Sequence, residues 1–161
     1  MKKNIRLILL GELILFLAVF LLTIAIGNTG LELSAITWFI DLPSLILIIL
    51  ILIPGLLIMG EWKSFIKSFS VGIKEYKLLE LKNIIGAVSA AQKLVIFGAL
   101  FAIIISGVLL LGNLSDPSTI GPNLAVCFLA GFYAVIFEFF LLPLRLNAEN
   151  KMNEVMDFED E

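Results

Sequence analysis

Glu12 and Glu138 are the two acids that interrupt otherwise apolar stretches, and they are the residues best placed to do chemistry. A charged acid at the centre of a membrane helix costs roughly 2.5–3.5 kcal/mol, so each needs a partner, water or a proton. Glu138 closes a stripe of small and polar residues, Asn123, Cys127, Ala130 and Ala134, at spacings of 4, 3, 4 and 4, with Gly131 beside them. That spacing keeps to one helix face, so Glu138 is expected to face protein or a cavity rather than lipid. Two roles stay open for it, ion handling and a structural hydrogen bond. Arg145 lies two turns on, on nearly the same face but too far along the axis for an easy direct pair. Glu12 lies six residues beyond Arg6, where snorkelling or pairing with a neighbouring lysine is the simpler reading.

The remaining chemistry is thin. With no histidine and a single cysteine, Cys127, the 161 residues offer no zinc set, disulfide framework or histidine-based triad. No nucleophile–base pair or metal set is present, so an enzyme is not expected and no cofactor is implied. A net charge of −3 without a basic stripe leaves nucleic acid no electrostatic footprint.

The elements that must hold these acids are membrane helices. The chain is 60% hydrophobic and 16% charged, with a mean hydropathy of +1.09. Soluble domains run near ~45–50% apolar and ~25% charged. A ~30 Å hydrocarbon core needs about 20 apolar residues. Four stretches qualify: 7–26, 43–60, 94–111 and 124–144. Pro54-Gly55 inside the second predicts a kink. All eleven basic residues precede the first span, lie between the second and third, or follow the fourth. The positive-inside rule therefore puts both termini in the cytoplasm. A cleaved signal peptide fits the first span less well, because its twenty apolar residues exceed the usual ~7–15 and Glu12 interrupts them. The expected fold is all-α, one integral membrane domain over 1–161.

Between the second and third spans, Trp62, Ile66, Phe69, Ile73 and Tyr76 repeat at 4, 3, 4 and 3, with lysines on the adjacent face and Phe65 off the stripe. This predicts an amphipathic helix over 61–82, lying on the leaflet or docking a partner. Asp116-Pro117 reads as a helix start, and Gly121-Pro122 as a second opening into the fourth span. The acidic tail 147–161 is expected to be solvated and mobile.

Small residues decide which helices approach closely in lipid. The fourth span carries the stripe above, and the third repeats it with Gly98, Ala102 and Ser106. Helices three and four are thus expected to be buried in protein, with one and two toward lipid. The stripes could serve packing within one chain, or also line a central passage in an oligomer.

Three strings then stand out: Phe39-Ile40-Asp41-Leu42-Pro43-Ser44-Leu45; Asn113–Pro122 continuing into Leu124-Ala125-Val126; and Tyr133 before Leu142-Pro143-Leu144. Together they resemble the flagellar motor stator proteins of the MotA/TolQ/ExbB proton-channel family, in order along nearly the whole chain. The resemblance implies a four-helix subunit of a bacterial cytoplasmic (inner) membrane, with its third and fourth helices inward. It implies a pentamer around a MotB-like single-span partner whose aspartate carries the ion. Pro143 matches a mechanistically important family proline. The family's channel threonines are replaced here by Gly131 or Ala130 and by Ala102, the large cytoplasmic domain is missing, and Glu138 has no assigned counterpart. The implied protein is a minimal or divergent member, an ion-driven stator or channel subunit. Its expected ion pathway comprises Glu138, Ala134, Ala130, Gly131, Cys127, Ala102, Ser106 and Pro143. The alternative is a non-conducting scaffold that keeps the pentameric architecture and recruits a partner.

Overall fold

A computed structural model describes residues 5–27 and 33–159. Lys2 and Lys3 of the basic pattern, Glu32, and the last two acids of the tail lie outside the described residues. Among the described residues five α-helices follow in order: α1 (Ile5–Gly27), α2 (Leu42–Ile58), α3 (Trp62–Ser68), α4 (Leu78–Gly112) and α5 (Pro117–Glu159), with a 3-10 turn at Leu33–Phe39 before α2. There is no strand among the described residues. Four helices, all but α3, are long and apolar enough to cross a membrane, as a multi-pass protein requires.

The longest elements are α4, with 35 residues, and α5, with 43. At ~1.5 Å per residue both outrun a ~30 Å hydrocarbon core. They form a tight antiparallel hairpin, the most extensive helix pair in the molecule. Asp116 makes the turn: its Oδ1 accepts from the Ser118 N–H at 3.0 Å and the Ser118 hydroxyl at 2.6 Å, with Pro117 at the first helical position. The helix start expected there is present. The second opening at Gly121-Pro122 is not: α5 starts at Pro117 and runs on through Pro122, which lies inside the helix.

The predicted amphipathic helix over 61–82 is instead three pieces. Helix α3 ends at Ser68, a turn carries Gly72 at φ +88°, and α4 starts at Leu78. Only glycine holds that left-handed φ without strain. Side chains hold the turn closed: the Ser70 hydroxyl donates to the Lys67 carbonyl at 2.9 Å, and Asn147 Nδ2 on α5 donates to the Val71 carbonyl at 3.1 Å. The faces differ from expectation too. Phe65, off the predicted stripe, is buried, while Ile66, Phe69 and Ile73 on it are exposed. The difference begins within α3 itself, where Phe65 rather than Ile66 turns to the core, and Gly72 then breaks the helix beyond it.

The tail is also more ordered than its charge implies. Helix α5 continues to Glu159, and Ala148, Met152 and Val155 pack against Leu81, Ile84 and Ile85 of α4. Those three fall one turn apart on one face, a stripe hidden by the acids between them.

Helix α2 is continuous through Pro54. It ends in a Schellman-type cap: the Glu61 N–H reaches the Leu56 carbonyl at 2.9 Å and the Gly60 N–H the Leu57 carbonyl at 3.1 Å, with Gly60 at φ +73°. It does not sit apart with α1. One face, Ile48, Leu52 and Leu56, is buried, and α2 packs extensively on α4. The close approach comes from α4: a Cβ on Gly98 would stand 3.0 Å from the Ile48 Cα. The Leu-Ile run of α2 carries no small stripe, so its own sequence does not reveal this contact.

Helix α1 is held differently. It meets α5 through rings, Phe16 with Phe139 and Phe140 at 6.2 Å each and Phe20 with Phe132 at 5.9 Å. It shares no substantial contact with α2. The antiparallel packing gathers the start of α1, the end of α2, α3, the start of α4 and the end of α5 at one end. The described basic residues lie toward that end, called the basic end below.

Candidate functional site

Glu138 projects from α5 toward α4 and meets a residue that the spans had excluded. Gln92 Nε2 donates to Glu138 Oε2 at 2.8 Å. The other oxygen, Oε1, is buried with no hydrogen-bond partner among the described residues. Nearer the hairpin turn, the Cys127 thiol donates to the Ile103 carbonyl at 3.8 Å. These two contacts are about three turns apart on both helices, so they report one register along the seam. Arg145 turns the other way: its Nε pairs with Glu149 at 2.7 Å, as its distance from Glu138 along the axis implies.

Gln92 lies two residues before the span expected from Leu94, within the longer helix α4 (Leu78–Gly112). Its equal distance from the Asn113–Asp116 turn, measured against Glu138, is the signal that could have found it. A buried carboxylate oxygen accepting an amide N–H, with a second oxygen unsatisfied, can accept a proton or a further donor. It can also stand as a fixed hydrogen bond between helices.

The other predicted pathway residues divide into two groups. Ala102, Ser106, Ala130 and Pro143 are buried within the single chain. Ala134 and Cys127 are half-buried, and Ala134 packs against the main apolar core. Gly131 differs, since a Cβ there would meet nothing within 4 Å. Close packing inside the chain therefore uses much of the small-residue stripe, and Gly131 leaves open space beside it. Glu12, on α1, also has one carboxylate oxygen, Oε2, buried without a partner among the described residues.

At the opposite end, Tyr133 does work that its spacing did not reveal. Its hydroxyl accepts the Asp41 N–H at 2.6 Å and donates to the Phe39 carbonyl at 2.8 Å. Asp41 in turn caps α2, its Oδ2 accepting the Ser44 N–H at 3.1 Å. One phenol thus fixes the entry of α2 against α5. The string that carries Asp41 and the residue Tyr133 belong to the family resemblance, and the structure brings them into contact.

No protein-family model, no curated protein and no solved structure matches the chain. The resemblance to the stator family stands on the residues quoted for it.

Proposed function

We propose that the chain is a MotA-like subunit of an ion-driven membrane complex, passing protons at the Glu138–Gln92 pair and forming a pentamer around a single-span partner. The observation that carries the reading is the Glu138 carboxylate, inside a membrane-length helix, with one oxygen held by Gln92 and the other buried without a partner. An intramembrane acid left partly unsatisfied is a functional group by default. Pro143 lies five residues further on α5 and matches the family's proline. The asymmetry of basic residues supports a cytoplasmic basic end in a bacterial inner membrane.

A second reading has its own support. The burial of Ala102, Ser106 and Ala130 within one chain, with Glu138 bonded inside it, suits a non-conducting scaffold that recruits a partner.

Proton flux separates the two. The complex isolated from its native membrane is placed in vesicles, and wild type is compared with Glu138→Gln and Glu138→Asp. A proton-passing acid requires normal assembly and lost flux for Gln, with part of the flux kept by Asp. Equal flux through wild type and Glu138→Gln removes the acid from the mechanism and leaves the scaffold.

A further inference from the structure

A cavity of about 610 Å³ opens between α1 and α2 in the half of the bundle nearest the basic end. Leu13 of α1, Ile53 of α2, and Phe137 and Leu144 of α5 form its walls, and Trp62 and Phe65 of α3 close one end. Among the described residues no charged side chain lines it, Glu12 included. Such a void deprives its walls of dispersion contacts, so an apolar occupant is favoured. A helix is about 10–12 Å across with its side chains and would have to displace α1. A single hydrocarbon chain is thin enough to lie between α1 and α2, which share no substantial contact.

The end closed by α3 carries the polar half of the argument. Lys63 is exposed, adjoins Trp62 in sequence, and has no ion-pair or hydrogen-bond partner among the described residues. The next lysine of α3, Lys67, is taken by Glu80 at 2.8 Å. An exposed, unpaired ammonium one residue along α3 from the tryptophan that closes the slot offers charge complementarity to a negative headgroup, at the depth where tryptophan prefers to sit. We propose that this cavity binds one acyl chain of an anionic phospholipid, with Lys63 engaging its phosphate-bearing headgroup. The site is independent of proton handling at Glu138.

Full-length protein in nanodiscs of equal parts phosphatidylglycerol and phosphatidylcholine provides the test, with a trace of either lipid bearing a diazirine on its acyl chain. After photolysis, adducts should concentrate on residues 9–13 and 49–53, several-fold more from the glycerol lipid than from the choline lipid. Lys63→Gln should remove that headgroup preference while leaving adducts in place. Leu13→Trp, which fills the slot, should cut adducts at 49–53 several-fold, and Ile53→Phe serves if the first variant loses its helical circular dichroism. Equal labelling by the two lipids in wild type overturns the proposal. So does labelling spread evenly over exposed Phe97 and Phe101 of α4, which means bulk lipid only, or protection of 49–53 from both lipids, which means a protein helix covers the slot.

Discussion

Helices α2, α4 and α5 form one region of this molecule and α1 another, and the two are built on different principles. In the first, backbones approach until a glycine is needed, as at Gly98 against Ile48, and polar contacts such as Gln92–Glu138 and Tyr133 with Phe39 and Asp41 fix the register. In the second, large rings touch at 5.9–6.2 Å, and a cavity remains beside them. The contrast follows from the solvent. Lipid is as apolar as leucine, so bulky side chains gain little by choosing each other over an acyl chain, whereas close backbones and paired polar groups do gain. A helix without those devices stays loosely attached.

The strongest challenge to this comparison is volume at the close contact. Gly98→Leu should destabilise the fold by about 1–3 kcal/mol, because the added carbons meet backbone that cannot move aside. The same change at Gly11 of α1, where a Cβ would meet nothing within 4 Å, should leave the melting temperature in detergent unchanged. Comparable losses at both positions would erase the distinction. Gly131→Leu sharpens it differently: open space there predicts an unchanged monomer fold, while cross-linked oligomer should decline if copies meet on that face.

Next in size is Tyr133→Phe, which keeps the ring and removes both bonds of the hydroxyl, at a cost of about 1 kcal/mol. Hydrogen exchange of the Asp41 amide should rise with it. Gln92→Leu should cost less, about 0.6 kcal/mol, the mean for a hydrogen bond between membrane helices. Reversible unfolding in mixed micelles can resolve the two; a larger loss from Gln92→Leu would reverse their order.

The smallest effect is at the hairpin turn. Hydrogen bonds from the Ser118 hydroxyl, and then its N–H, hold the Asp116 carboxyl below its ordinary value of 3.8. Its stabilisation is therefore fully present above that value and is lost as pH falls through the lower folded-state value. Asp116→Asn should flatten this acid limb of the stability curve, and a limb of unchanged slope would exclude the cap as its source.

The four spans and the Asp116 start were legible because each rests on a local property, a run of apolar residues or one residue beside a proline. The α3 turn and the packed tail were not. Gly72 resets the helical phase between Phe69 and Leu78, and the Ala148-Met152-Val155 stripe becomes visible only beside Leu81 and Ile84. Glu138 could be found as an acid out of place, but Gln92 could not, since a boundary drawn by hydropathy alone put it outside the span. Tyr133 was seen as part of a string, and its role needed partners 92 and 94 residues away.

Those long separations set an order of events during synthesis. Helices α1 and α2 leave the ribosome well before Tyr133 exists, so the entry of α2 has no lock when it first reaches the bilayer. Contacts next to the α4–α5 turn close a short loop, whereas the bonds to Asp41 and Phe39 close loops of 92 and 94 residues at a larger entropic cost. The phenol of Tyr133 is thus a late fastening: a chain truncated before residue 133 lacks the hydrogen bonds that tie the entry of α2 to α5.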